Sequence, residues 1–328
     1  MNPIAHSQPL PLAVDTAAFD TSILAGTKSP STIDQYRMHF EAYVLFAVTF
    51  AAAMEPATLA RWRQHLFENG YTTHGGAQKQ YSVSSINLRL ASIRGIMTEA
   101  AQQGYITHEL AEQFKHVKGL KQAANKDRRR QHTRTPITPA QMRAIVDAPD
   151  ISTLAGKMHH ALLKTLAGCG MRISEAVTMT RSSIRWEVNE DTGKAGWVVD
   201  IAGKNKVDAE PRPLDSAAYS AIQEWLKARS AAGIESEYIF TGFDGRGASR
   251  INNFPISRRS AWHLVKRYAN KVNCPNVKPH DIRRFVGTQL AKNDLRIAQK
   301  QLGHARIETT ATHYVLDGVH VGATENLY

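Results

Sequence analysis

Six side chains in the second half of the chain are of the types that phosphate chemistry uses. They are Arg172 in Gly170-Met171-Arg172-Ile173-Ser174-Glu175, Lys204 in Gly203-Lys204-Asn205-Lys206, His280 and Arg283 in His280-Asp281-Ile282-Arg283, His304 in Leu302-Gly303-His304, and Tyr314 ten positions later. A tyrosine hydroxyl can store a phosphate as an ester, so a phosphodiester strand can be broken and resealed with no outside energy source. Guanidinium groups are planar, permanently charged forks that suit the equatorial oxygens of a pentacoordinate phosphorus. A lysine can protonate the departing oxygen, and histidines can donate hydrogen bonds or shuttle a proton.

Singly, each of these residues has a plainer role. Arg172 is a helix-surface arginine, Lys204 a hairpin charge, His280 a helix cap, His304 a loop histidine and Tyr314 a core aromatic. Their joint order changes the reading, because Leu163 to Tyr314 resembles the catalytic domain of the tyrosine recombinase (phage integrase) family. Gly170 to Glu175 resembles the family's first-arginine motif, Gly203 to Lys206 its β-hairpin lysine motif, and His280 to Arg283 its His-x-x-Arg box. Leu302-Gly303-His304-Ala305-Arg306-Ile307-Glu308-Thr309-Thr310, followed by Tyr314, resembles the Leu-Gly-His box and nucleophile. Thr32 to Tyr105 resembles, more loosely, the helical core-binding domain that precedes catalysis in these enzymes.

The resemblance implies a site-specific DNA recombinase that works through a 3′-phosphotyrosine intermediate formed on Tyr314. Arg172 and Arg283 then hold the phosphate, His280 and His304 donate to its non-bridging oxygens, and Lys204 is the general acid. Glu175, one helical turn after Arg172, orients the site rather than touching DNA. The resemblance also implies a two-domain clamp on duplex DNA carrying a specific site, a homotetramer that exchanges strands in pairs through a Holliday junction, and accessory DNA-bending proteins. Two departures stand out. The lysine motif is compressed to Gly-Lys-Asn-Lys, which leaves Lys206 as a substitute acid, and Tyr314 lies one position beyond the commoner spacing, which His313 occupies. Two other functions fit the same scaffold: a catalytically silent DNA-binding regulator, and type IB topoisomerase-like relaxation.

The elements that must position these groups follow from the rest of the sequence. At 328 residues the chain suits two domains with separate cores, and 42% hydrophobic with 21% charged residues is a globular composition. Lysine and arginine number 41 against 29 acids, a net charge of +12 that favours an acidic partner such as nucleic acid. Two cysteines give neither a disulfide framework nor zinc-ligand spacing. No apolar run reaches membrane-spanning length, and the sparse cysteines suit a reducing cytoplasm; the resemblance implies a bacterial, phage or mobile-element setting on the nucleoid. No P-loop occurs, and neither a cofactor nor a metal is expected.

The expected fold is mainly α with a small antiparallel β-sheet. A loose leader over 1–28 precedes a helical core-binding domain over 29–114, a basic linker over 115–136, a mixed α/β catalytic domain over 137–322, and a tag-like remnant over 323–328. Ile33, Tyr36, Phe40, Tyr43, Ala47 and Phe50 predict one amphipathic helix capped by Ser29 or Ser31. Leu59, Trp62 and Leu66 predict a second helix, and Ile86, Leu90, Ile93, Met97 and Ala100 a third. Trp197 to Ile201 reads as a strand with Arg212-Pro213-Leu214 pairing beside it. Candidate DNA contacts are Arg61, Arg89 and Arg94 in the bundle, Lys118, Lys121, Arg128, Arg129 and Arg130 in the linker, and Lys206.

Overall fold

The structure is a computed structural model that describes residues 21–73, 75–125, 135–190, 193–203, 208–244 and 250–314. The chain divides into two compact units, Met1–His132 and Thr133–Tyr328. Lys204, Lys206, Arg128, Arg129 and Arg130, the leader up to position 20 and the tail after Tyr314 lie outside the described residues.

The first unit is built from helices α1 (Pro30–Ala47), α2 (Phe50–Ala53), α3 (Pro56–Asn69), α4 (Val83–Gln102) and α5 (His108–His116). A small hairpin, β1 (Tyr71–Thr72) with β2 (Gln78–Lys79), sits between α3 and α4. Apolar stripes at three-to-four spacing converge in one core that contains Phe40, Tyr43, Trp62, Ile86, Leu90, Ile93 and Phe114. Each such side chain contributes roughly 1.5–3 kcal/mol by leaving water. The single helix expected through Phe50 is instead two. Val48 turns to φ +69°, and the Thr49 hydroxyl accepts the Ala52 N–H to start α2. Ser29 does stand at the N-cap of α1, although its side chain caps no backbone N–H.

The segment after α5, expected as the start of a linker, is docked on the bundle. Arg94 donates to the Val117 carbonyl, Arg63 to the Lys118 carbonyl at 2.6 Å, and Asn87 both donates to and accepts from the Leu120 backbone. Leu120 packs against the core, which explains the docking in hydrophobic terms.

In the second unit, α6 (Pro139–Asp147) opens with a capping box of Thr138 and Gln141, and α7 (Leu154–Cys169) supplies the central helix. After the short α8 (Ile173–Ala176), strands β3 (Ile184–Val188), β4 (Ala195–Ala202) and β5 (Ala209–Pro213) form an antiparallel sheet in that order. Val199 faces Arg212 across the antiparallel β4–β5 pair. There follow α9 (Ser216–Ala231), a hairpin of β6 (Thr241–Asp244) and β7 (Arg250–Pro255), α10 (Arg258–Lys271), α11 (Pro279–Ala291), α12 (Leu295–Leu302) and α13 (Ile307–Tyr314). One core joins Leu162 and Leu166 of α7, Trp225 of α9, Val265 of α10 and Ile282 of α11 with Val199 and Ile201 of the sheet. Among the described residues, no helix is long and apolar enough to cross a membrane.

Candidate active site

Helix ends present the candidate side chains. α7 stops at Gly170, whose φ of +65° is the left-handed conformation that glycine adopts without strain. That turn puts Arg172 at the N-cap position of α8. One turn further, Glu175 accepts the Arg172 backbone N–H and its Nη1, each at 2.7 Å. The cap thereby fixes the arginine in both backbone and side chain, and the Arg172 side chain remains 39% exposed while Glu175 is 5% exposed.

α11 begins at Pro279, with the Asp281 carboxylate accepting the Lys278 N–H at its start. His280 is therefore at the rim, and Arg283, one turn later, is buried. Arg283 donates Nη1 to the Gly170 carbonyl at 2.9 Å and Nη2 to the Leu302 carbonyl at 2.5 Å. Its Nη2 also lies 3.3 Å from His304 Nε2, and a further side-chain hydrogen bond joins it to Tyr314. An arginine can only donate, so His304 Nε2 accepts and the ring proton is assigned to Nδ1, 2.9 Å from Thr310 Oγ1 on α13.

Tyr314 closes the cluster. Its ring stacks on His304 with centroids 5.4 Å apart and is 3% exposed. It fits because position 287 on α11 is glycine: a Cβ there would stand 2.4 Å from Tyr314 Cδ1. Arg172, Glu175, Arg283, His304 and Tyr314 thus form one connected cluster. His280 belongs to it electrostatically. Crowding of its ring, although the residue as a whole is exposed, followed by the charges of Arg284 and Arg283, holds its pKa below the usual value.

Arg212, which sequence reasoning did not single out for the site, completes the centre. Its Nη1 donates to Glu175 Oε2 at 3.2 Å from a side chain 1% exposed. Burial alone would raise the Glu175 carboxyl; the Arg172 N–H, then the Arg212 charge, outweigh it and hold the group below the usual carboxylate range. Three guanidinium charges against one carboxylate leave two positive charges in excess, a field suited to a phosphate group. The signal for Arg212 was its period-two relation to the buried Leu214, which turns the arginine inward from β5.

The basic residues expected to touch DNA differ in their surroundings. Arg61 is exposed and bonds Thr58, and Arg89 lies over the Tyr81 ring at 4.3 Å. Lys118 and Lys121 are exposed, whereas Arg94 is half-buried and tied to the Val117 carbonyl. Among the described residues, no group of three histidine, cysteine or acidic side chains is placed to hold a metal.

The profile of the phage integrase family matches residues 136–318. A tyrosine recombinase XerD of Neisseria meningitidis serogroup A is 30% identical over 180 residues, 54% of this chain and 56% of that protein. A tyrosine recombinase XerC of Pelobacter propionicus is 29% identical over 294 residues, 88% of this chain and 86% of that protein. The chain thus spans little more than half of the XerD relative and most of the XerC relative. Among solved structures, a XerH site-specific recombinase bound to a palindromic difH substrate, in a post-cleavage complex, aligns with a TM-score of 0.61 at 17% identity. That alignment covers 94% of this chain and 83% of that one. A lambda integrase dimer bound to a COC′ core site aligns with a TM-score of 0.56 at 14% identity, covering 94% of this chain and 97% of that one. At these identities the likeness is one of fold.

Proposed function

The chain belongs to the phage integrase family, and from that membership together with the cluster around Tyr314 we propose that it is a site-specific DNA recombinase acting through a 3′-phosphotyrosine intermediate. The observation that carries the reading is the position of Arg283, whose buried guanidinium bonds Tyr314 and reaches His304 at once. A tyrosine held against a fixed cation is poised to attack a phosphate that the same cation binds.

In the cleavage step the Tyr314 hydroxyl gives up its proton, with His280 as acceptor, and its oxygen forms a bond to phosphorus. The bond from phosphorus to the 5′-oxygen breaks, and Lys204 protonates the leaving oxygen. One phosphodiester becomes one phosphotyrosine ester and one free 5′-hydroxyl. Rejoining runs the same step backwards with the 5′-hydroxyl of a partner strand. Arg172 and Arg283 face the charge on the equatorial oxygens, and Glu175 fixes Arg172 in place. Desolvation of its ring and the neighbouring arginine charges hold the His280 pKa below its ordinary value, which favours the neutral form that a proton acceptor requires.

The partner is duplex DNA carrying a specific site, in line with the net charge of +12. The solved neighbours are a recombinase on its substrate and, in another case, a lambda integrase tetramer bound to a Holliday junction. By analogy four copies of this chain hold two sites during exchange, with DNA-bending proteins as accessories.

The test uses a pool of nicked duplexes with randomised cores, incubated with the full chain and resolved by denaturing electrophoresis. Wild type should give a protein–DNA adduct whose recovered sequences converge on one site. Tyr314→Phe should bind the same duplex and give none. An adduct that persists in Tyr314→Phe sinks the nucleophile assignment, and a wild-type protein that binds tightly yet never forms one sinks the enzyme reading.

A further inference from the structure

Arg212 is the most deeply buried cation of the cluster, yet Nη1 alone is paired. Its Nε and Nη2 are buried without a hydrogen-bond partner among the described residues. A buried charge with two idle donors is a poor device for stability alone, so its value must lie in what it holds in place. It touches two parts of the unit that each carry a member of the cluster. Through Nη1 it reaches Glu175, the residue that fixes Arg172. Its guanidinium lies directly against the turn that ends α12: a Cβ on Gly303 would stand 2.2 Å from Nη2 and 2.7 Å from Cζ. Gln301 of α12 ties the same turn to Arg212's own strand, β5, by donating to the Pro213 carbonyl at 3.0 Å.

On the proposed phosphoryl-transfer reading, which this inference deepens, we propose that Arg212 is a positioning residue: it occupies Glu175 from the buried side and seats the Gly303 turn, keeping Arg172, Arg283 and His304 in register. The distances show why an inner cation is needed. Glu175 Oε1 is taken by Arg172 Nη1, and Oε2 by the Arg172 N–H and Arg212. The next cation to Oε2 is Arg283, whose Nη1 stands 3.9 Å away. Without Arg212, Glu175 draws Arg283 towards itself and away from the Gly170 and Leu302 carbonyls that align it with His304 and Tyr314. Arg212 thereby keeps a phosphate-facing arginine from being spent on a buried carboxylate. Its one hydrogen bond among the described residues goes to Glu175, so it acts on the phosphate-binding arginines through that carboxylate.

The experiment uses the full chain and the duplex recovered by wild-type adduct formation, so failure of the recombinase reading shows first, as no wild-type adduct. With the adduct in hand, Arg212→Met and Arg212→Lys are compared for DNA affinity, single-turnover cleavage rate and unfolding midpoint. Arg212→Met should bind DNA within about 2-fold of wild type and cleave about 100-fold more slowly, the size of effect that follows loss of fixed charge alignment at a reacting phosphate. Arg212→Lys, which keeps the charge but loses the fork, should recover about 10-fold of that loss. A merely structural residue would not change the pH profile. Loss of Arg212 should do so by raising the Glu175 pKa, so that the rate of Arg212→Met falls more steeply than wild type as the solution is made acidic.

A double-mutant comparison isolates the partner: in a Glu175→Gln background, adding Arg212→Met should cost less than about 3-fold, because the two act through one contact. If Arg212→Met is too unstable to purify, Arg212→Lys decides. A wild-type cleavage rate and pH profile in Arg212→Lys overturn the proposal, as does equal loss of binding and cleavage in either variant.

Discussion

Gly287 of α11 and the ring of Tyr314 are in direct contact: a single added methyl at position 287 would stand 2.4 Å from Tyr314 Cδ1 and 2.7 Å from Leu302 Cδ1. The seat of the proposed nucleophile is thus defined by an absent side chain. Gly287→Ala should displace Tyr314 or the end of α12, costing about 1–3 kcal/mol as overpacking. Chemical denaturation measures that loss. Covalent cleavage should fall about 100-fold, since small misplacements at a reacting atom carry that penalty, while DNA affinity stays at the wild-type level. Equal cleavage by Gly287→Ala would mean that the seat is irrelevant to attack.

Acid should weaken the fold through two buried histidines. His39, bonded to Ser92, and His159, bonded to Tyr268, have pKa values lowered to about 4, in each case mainly by burial. A folded pKa below the unfolded one means that the unfolded chain binds the extra proton. Stability is therefore complete above about pH 6.5 and declines as pH falls towards the folded value. Between pH 7 and pH 5 each histidine should cost about 2 kcal/mol. Denaturant midpoints at the two pH values measure this. His39→Gln should reduce the pH-dependent loss in the first unit, and an unchanged loss would assign the acid sensitivity elsewhere.

The general acid can be identified by chemistry at the leaving oxygen. A DNA substrate with sulfur in place of the bridging 5′-oxygen releases a thiolate, which needs little protonation. Lys204→Ala should cleave the ordinary duplex slowly and the sulfur duplex near the wild-type rate. Lys206→Ala should show no such selective recovery. The opposite pattern would transfer the role to Lys206.

Basic residues of the first unit should separate into two classes. Arg94, half-buried and bonded to Val117, holds the end of the bundle together. Arg94→Ala should cost about 1–3 kcal/mol of stability by leaving buried groups unsatisfied. Lys118 and Lys121 are exposed, and replacing either with alanine should leave stability unchanged. Each should instead lower DNA affinity and reduce the slope of log affinity against log salt by about 1, as one lost phosphate contact does. Titrations at several salt concentrations distinguish the two classes, and an unchanged salt slope would remove that lysine from the interface.

The parts of the molecule legible in the sequence were those governed by local rules. Periodicity placed α3 and α4 closely, because an amphipathic stripe with a cap or a terminal glycine determines a helix from neighbouring residues alone. The short helices α5 and α12 and the hairpins β1–β2 and β6–β7 were not drawn, since a few residues give no measurable period. The break at Val48 was hidden for a related reason: the apolar stripe continues through it into Phe50, and a β-branched residue at positive φ is not what a pattern predicts. In the site, the residue types of Arg172, Arg283, His304 and Tyr314 were visible, and the structure brings them into one cluster. Arg212 was not visible as part of it, because its role depends on a carboxylate 37 positions away along the chain. The docking of Val117 to Leu120 likewise depends on Arg94 and Asn87, side chains from a different helix.

Arg283 is anchored on the carbonyls of Gly170 and Leu302. Neither anchor changes protonation or covalent state when a phosphate moves between a 5′-oxygen and a tyrosine oxygen. On the proposed mechanism, the arginine presents the same field to the diester and to the enzyme-linked ester, and lowers the barrier between them from both sides alike. Such a device confers speed without direction. Which DNA arrangement accumulates is left to the strands themselves, their pairing and their supercoiling, and to whatever holds the ends together.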